Sequence, residues 1–144
     1  MDANASLDLT RQQPWQEASA LQIFRTALLL GVVRITLVVL GFHRTIEIVR
    51  RLSRGGRPAQ VRDEDLAAAA YRVAAAAAFV PYVRCLERSL VLFNQLKRRG
   101  VPVVLRLGVW AYPFHAHAWV EYEGQPINEI RESIRHLSPL FEIR

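Results

Sequence analysis

The period of the hydrophobic pattern changes at Gly100, and this change constrains the fold more than any other feature of the sequence. Ahead of Gly100, apolar residues recur at helical spacing in a stripe formed by Leu86, Leu90, Phe93 and Leu96. After it, "VPVVLRLGVW" and "HAHAWVEYEG" alternate and are rich in β-branched and aromatic residues, and "QPINEI" at 125–130 can return as a third strand. We therefore predict an α+β fold, with helices first and a small antiparallel sheet packed against the helix that begins near Cys85.

The chain ahead of this helix is predicted to contain two further helical segments. The first runs from about Ala18 to Leu52 with a break near Gly41, and "SRGGRP" at 53–58 follows it as a linker. Three acidic residues at 63–65 open the second helix at the positive end of its dipole, and Pro81 stops it.

The size of the chain indicates one domain. With 144 residues and a hydrophobic content of 51%, it can bury a true core. We predict a single domain over 1–144, in which 1–60 form a helical N-terminal extension and 61–144 form the core. Residues 1–17 are polar and are expected to be a loose arm.

Cysteine content and charge exclude some classes of protein. A single cysteine excludes a disulfide framework, so no oxidising compartment is required and the cytoplasm is the expected location. The net charge of +6 comes from scattered arginines, and no predicted helix alternates basic with aromatic residues. We expect no nucleic-acid partner.

The apolar run from Ala27 to Phe42 resembles a membrane span but is short for one. It has 16 residues with Arg34 near its middle, against about 20 for a spanning helix. We expect this helix to pack against the rest of the domain rather than to cross a membrane. A partner protein or contact with a membrane surface is the alternative for its apolar sides.

The only cysteine, Cys85, lies at the predicted start of a helix. The N-terminal end of a helix favours a thiolate, and Arg84 and Arg88 add positive charge nearby. In "HAHAWVE" the strand alternation places His115 and His117 on one face, so one of them can serve as a base for the thiol. These three residues do not complete the four ligands of a zinc site, so we predict no metal and no cofactor.

The stretches "CLERSLVLFNQLKRRGVPVVLRLGV" and "HAHAWVEYEGQPI" together resemble the transglutaminase-like cysteine peptidases of lasso peptide biosynthesis, the leader peptidases called B2 proteins. The resemblance covers about residues 81–130 and implies a papain-like or transglutaminase-like core. It implies a triad of Cys, His and Asp, in which Cys85 and His117 match the first two members. His115 matches no catalytic position.

The third member of the triad departs from the family pattern. Where the family usually has "ND" after the hairpin turn, this chain has Asn128 and Glu129. A three-residue loop at 122–124 would place Glu129 opposite His117, whereas a two-residue turn would place Asn128 on the face of His117. We favour the three-residue loop with Glu129 as the third catalytic residue, because Gly124 then takes the left-handed position.

The resemblance implies a peptidase that removes the leader from a ribosomally made lasso precursor peptide. It also implies a separate leader-binding recognition protein and a downstream ATP-dependent macrocyclase. Two alternatives remain open on the sequence: a catalytically weak binding module of the same fold, and an acyl transferase that uses an amine in place of water.

Overall fold

The computed structural model describes residues 19–144, so the arm predicted over 1–17 and the helical start at Ala18 lie outside the described residues. The elements, in chain order, are α1 (Ala20–Leu52), α2 (Asp63–Ala77), α3 (Cys85–Arg98), β1 (Val103–Ala111), β2 (Phe114–Tyr122), β3 (Gln125–Pro126), α4 (Arg131–Ile134) and β4 (Ser138–Ile143). Helices come first and a small antiparallel sheet follows, which confirms the predicted α+β class.

Helix α1 is interrupted where the sequence indicates a break. Ser19 caps it, its hydroxyl accepting the Gln22 N–H at 3.3 Å. At Gly41 the backbone leaves helical geometry, with φ 78° and ψ 174°. Because only glycine adopts this positive φ at little cost, the residue sets the position of the kink.

One side of α1 belongs to the core of the molecule. Leu30, Val33, Ile46 and Val49 are buried in the same hydrophobic cluster as the inner residues of α2, α3, β1 and β2. The prediction that α1 packs against the rest of the domain is therefore correct for this side of the helix.

The opposite side of α1 is apolar and faces solvent. Its residues are each more than half exposed and recur at helical spacing: Leu21, Phe24, Leu28, Val32, Ile35, Val38 and Val39. We call these seven residues the apolar stripe. By length and composition α1 is long and apolar enough to cross a membrane. The expectation that the domain covers this helix is therefore wrong for the stripe.

The sheet has the strand order β3-β2-β1-β4. Strands β1 and β2 pair along their whole length, and α3 packs against the face that carries Leu105 and Val120, both fully buried. The edge strand β4 was not predicted. Most of its side chains are exposed and it begins with "SP", so it lacks the alternation that identified β1 and β2.

The predicted geometry of the β2–β3 hairpin is wrong. Tyr122 pairs with Gln125, so the turn has two residues, Glu123 and Gly124, with φ of 49° and 75°. Two consecutive left-handed residues form the turn that matches the twist of a hairpin. The third strand also ends at Pro126 and does not extend to residue 130.

Candidate active site

The structure places Cys85 as the first residue of α3, with a partly buried side chain. The Glu87 carboxylate accepts the backbone N–H of Arg84 at 3.1 Å and thereby caps the helix. Cys85 thus sits between the capped end and the first turn, where backbone N–H groups have no partner within the helix.

An ion pair to α1 holds the segment ahead of Cys85. Arg34 donates to Glu87 Oε1 at 3.1 Å and to the carbonyl oxygen of Tyr82 at 2.7 Å, and its guanidinium lies 5.7 Å from the centre of the Tyr82 ring. Tyr82 has a φ of 61°, an uncommon conformation for a non-glycine residue. The position of Arg34 within an apolar run gave no indication of this role.

Cys85 opens into a cavity of about 400 Å³. The lining of the cavity also includes Glu129, and α3 contributes Arg88. Small side chains from the alanine-rich α2, at Ala70 and Ala74, line another wall and leave the space open. The alanine run of α2 therefore helps to form the cavity.

His117 lies on β2 and contacts Glu129. The distance from His117 Nε2 to Glu129 Oε1 is 2.8 Å, and both side chains are about three-quarters buried. A carboxylate only accepts hydrogen bonds, so this contact favours the tautomer with its proton on Nε2, in which the neutral ring would keep its lone pair on Nδ1. The arrangement leaves Nδ1 available as a base.

The contact between His117 and Glu129 arises for a different reason from the predicted one. The two-residue turn would place Glu129 on the other face of a continued strand. The chain leaves the sheet after Pro126, so alternation no longer determines where Glu129 points. The predicted pairing is present although the register argument behind it is wrong.

Asn128 joins three parts of the fold. Its Oδ1 accepts the backbone N–H of Val120 at 2.8 Å, and its Nδ2 donates to Ser89 Oγ at 3.1 Å. Ser89 in turn donates to the carbonyl oxygen of Ala118 at 2.9 Å. Asn128 therefore connects α3 to the free edge of β2.

The Ser89 contact also places Cys85 relative to His117. Ser89 is one helical turn after Cys85, and Ala118 is the residue after His117, so α3 contacts β2 next to the histidine. Across residues 19–144, no hydrogen bond joins the thiol to the His117 ring. Such bonds are often long in free enzymes and shorten when substrate binds.

Aromatic neighbours hold the His117 ring on the outer face of β2. Its centroid lies 6.1 Å from that of His115, which is exposed, and 6.5 Å from that of Trp119, which is buried. Trp119 Nε1 donates to Glu121 Oε1 at 2.8 Å. Gly108 provides the space for the indole, since a Cβ there would come within 2.8 Å of it.

A charged cluster continues this face of the sheet. Arg106 on β1 bonds Glu121 on β2 and Glu142 on β4. The hydrogen bond to Glu121 is the main cause of a raised pKa of Arg106. The cluster ties the edge strand β4 to the strand that carries His117.

Comparison with known proteins gives a family and one distant relative. A family model described as the transglutaminase-like superfamily matches residues 27–142. The microcin J25-processing protein McjB of Escherichia coli is 39% identical over 59 residues, which cover 41% of this chain and 28% of McjB. The match thus involves little more than a quarter of that relative's length. No solved structure matches the chain.

Proposed function

The chain belongs to the transglutaminase-like superfamily, and from this premise we propose that it is a cysteine endopeptidase that removes the leader from a lasso precursor peptide. The observation that carries the proposal is the cavity whose wall contains Cys85 and Glu129, with Glu129 in turn contacting His117. The similarity to a protein named for processing microcin J25 supports a peptide precursor as the substrate.

In the proposed mechanism, His117 Nδ1 takes the proton of the Cys85 thiol. The thiolate attacks the scissile carbonyl carbon, and the carbonyl π electrons move to oxygen to give a tetrahedral oxyanion. The oxyanion collapses to a thioester, and the leaving amine takes the proton from the imidazolium. A water molecule, deprotonated by His117, then attacks the thioester and releases the carboxylate product and the thiol.

Two features of the site support these roles. The Glu129 carboxylate at 2.8 Å would stabilise the imidazolium and hold the ring with Nδ1 free. The backbone N–H of Cys85, at the N-terminal end of α3, is a suitable donor to the oxyanion.

The partners proposed for this reaction are a precursor peptide, a separate leader-binding recognition protein and a downstream ATP-dependent macrocyclase. The recognition protein would present the precursor to the cavity, and the macrocyclase would act on the released core peptide.

The direct test mixes the purified chain with precursor and recognition protein and weighs the products by mass spectrometry. We expect leader and core masses with the native chain and none with Cys85→Ala, while the exposed control Ser133→Ala cleaves at the native rate. Because Cys85 is the only cysteine, one iodoacetamide adduct should also abolish cleavage. Normal processing by Cys85→Ala would refute the proposal.

One observation favours a second candidate, a non-catalytic binding module. Within the described residues the thiol and the His117 ring are not hydrogen-bonded, and the usual aspartate of the triad is replaced by Glu129. If this candidate is correct, the native chain binds precursor but yields no product at any enzyme concentration.

Adding an amine such as hydroxylamine to the same mixture tests acyl transfer, which would add the mass of the amine to a product.

A further inference from the structure

A second cavity, of about 340 Å³, lies between α1, α2 and α3, and Cys85 is not in its wall. Four arginines line it: Arg25 on α1, Arg72 on α2, and Arg98 and Arg99 at the end of α3. The described residues of its wall include no carboxylate. The cavity therefore concentrates positive charge from three helices in one place.

Three helical arginines outside the cavity are paired, whereas Arg44 and Arg88 have no side-chain partner among residues 19–144. Arg34 bonds Glu87 across two helices, and Arg50 and Arg51 both bond Glu47. By contrast, none of the four cavity arginines makes a side-chain hydrogen bond or ion pair with any of residues 19–144. The cavity thus brings together four arginines that have no side-chain partner among the described residues.

The buried position of Arg72 beside the other arginines of the cavity is electrostatically unfavourable. Arg72 is nine-tenths buried and lines the cavity, and none of its nitrogen atoms is sealed off without a partner. Burial, followed by repulsion from Arg99, lowers the pKa of Arg72. The Asp65 carboxylate attracts this cation but does not offset both effects, and a bound anion would recover part of the remaining cost in free energy.

Two amide side chains of the cavity wall are engaged within the fold. Gln95 Nε2 donates to Thr26 Oγ1 at 3.1 Å, and Asn94 Nδ2 donates to Ser53 Oγ at 3.0 Å. The guanidinium groups therefore determine which ligand the cavity prefers.

We propose that this cavity binds a compact oxyanion of the phosphate class with two or more negative charges. A single carboxylate offsets only one of four guanidinium charges, whereas phosphate and pyrophosphate accept several charge-assisted hydrogen bonds at once. The proposal does not depend on the peptidase function, because the cavity contains no residue of the candidate active site.

The test is calorimetric titration of the full chain with inorganic phosphate and with pyrophosphate at constant ionic strength. We expect saturable binding at one site, weakened at least about tenfold by Arg99→Gln, because a charge-assisted hydrogen bond is lost. The matched control, Arg135→Gln, changes an exposed arginine outside the cavity and should bind as the native chain does.

Thermal unfolding of Arg99→Gln provides a second measurement. It distinguishes the loss of anion binding from a simple loss of stability in the variant. In buffer without phosphate, Arg99→Gln should raise the melting temperature by removing the repulsion from Arg72. The same variant should lose the rise that phosphate produces in the native chain. A lower melting temperature in both buffers would contradict the proposal.

Further arms identify the source of the anion. If the chain sediments with vesicles of anionic phospholipid and free pyrophosphate releases it from them, the natural ligand is a lipid headgroup. If the chain binds pyrophosphate but not the vesicles, the ligand is a soluble phosphate compound. Equal affinity in Arg99→Gln and Arg135→Gln, or no saturation at millimolar phosphate, would overturn the proposal. Tighter binding of a hexaglutamate peptide than of pyrophosphate would overturn it in favour of an acidic protein segment.

Discussion

At the residue scale, Asn128 and Glu129 are neighbours in sequence with separate tasks. Asn128 bonds two elements through Val120 N–H and Ser89, whereas Glu129 bonds only the His117 ring. The first set of contacts holds the strand edge to α3, and the second would orient the proposed base. Substitutions at the two positions should therefore change different properties.

We predict that Glu129→Ala lowers the cleavage rate at least about tenfold with little change in melting temperature, because the base loses its orientation. Glu129→Asp should keep substantial activity, since the carboxylate is retained. Asn128→Ala should lower the free energy of unfolding by about 2 kcal/mol, because it removes two hydrogen bonds from partly buried groups. Cleavage rates and chemical denaturation of the three variants check these expectations. If Asn128→Ala loses most of its cleavage rate but keeps its free energy of unfolding, the catalytic role belongs to Asn128.

The sequence indicated candidate residues for this site, but it did not indicate the backbone geometry that positions them. The choice of Cys85 follows from the start of a helix, which is a local property. Strand alternation left both His115 and His117 as candidates, and only the family resemblance selected His117. The roles of Asn128 and Glu129 depend on where the chain leaves the sheet, which is decided by tertiary hydrogen bonds to Val120 and Ser89. A pattern with a period of two carries no information beyond the last paired residue.

At the element scale, the Arg34–Glu87 pair joins α1 to the first turn of α3. Glu87 is buried and uses its two oxygens for the helix cap and for the arginine. The element that presents the cysteine is therefore anchored to a helix some 50 residues earlier in the chain.

We predict that Glu87→Ala lowers the free energy of unfolding by about 2 kcal/mol, because it removes a cap and leaves Arg34 without its carboxylate. It should also slow cleavage by loosening the segment ahead of Cys85. The matched control is Glu47→Ala, which breaks an exposed ion pair with Arg50 and Arg51 and should cost less. Urea denaturation of both variants gives the comparison, and equal losses would contradict the anchoring role.

The apolar stripe of α1 is a second feature of this scale. Leu28 and Ile35 lie in the stripe and are 56% and 63% exposed, whereas Leu30 is fully buried on the other side of the same helix. The sequence predicted an apolar helix correctly, but composition alone did not indicate which side the domain would leave uncovered.

We predict that Leu28→Gln with Ile35→Gln raises the solubility of the purified chain and leaves its melting temperature almost unchanged, because both side chains already face solvent. Leu30→Gln, the matched control, should lower the free energy of unfolding by about 2 kcal/mol or more, because it buries an amide without a partner. Light scattering and thermal unfolding measure the two effects. A large loss of stability in the double variant would show that the domain covers the stripe.

At the scale of the whole molecule, the described residues place one thiol beside a small cavity on a helix-and-sheet scaffold. The cavity of about 400 Å³ has room for only a few side chains of a peptide. Contacts of that extent can orient a scissile bond, but they provide little free energy to select a long leader. Selection of the precursor would then come from the proposed recognition protein.

We predict that the recognition protein lowers the KM for full-length precursor more than it raises kcat, because it holds the leader and raises the local concentration of the cleavage site. A short peptide that spans only the cleavage site lacks the leader, so its cleavage rate should be the same with and without this partner. Steady-state kinetics on both substrates make the comparison. Equal stimulation of the two would place the partner's effect on the catalytic groups themselves, and no stimulation of either would mean that the chain binds its precursor unaided.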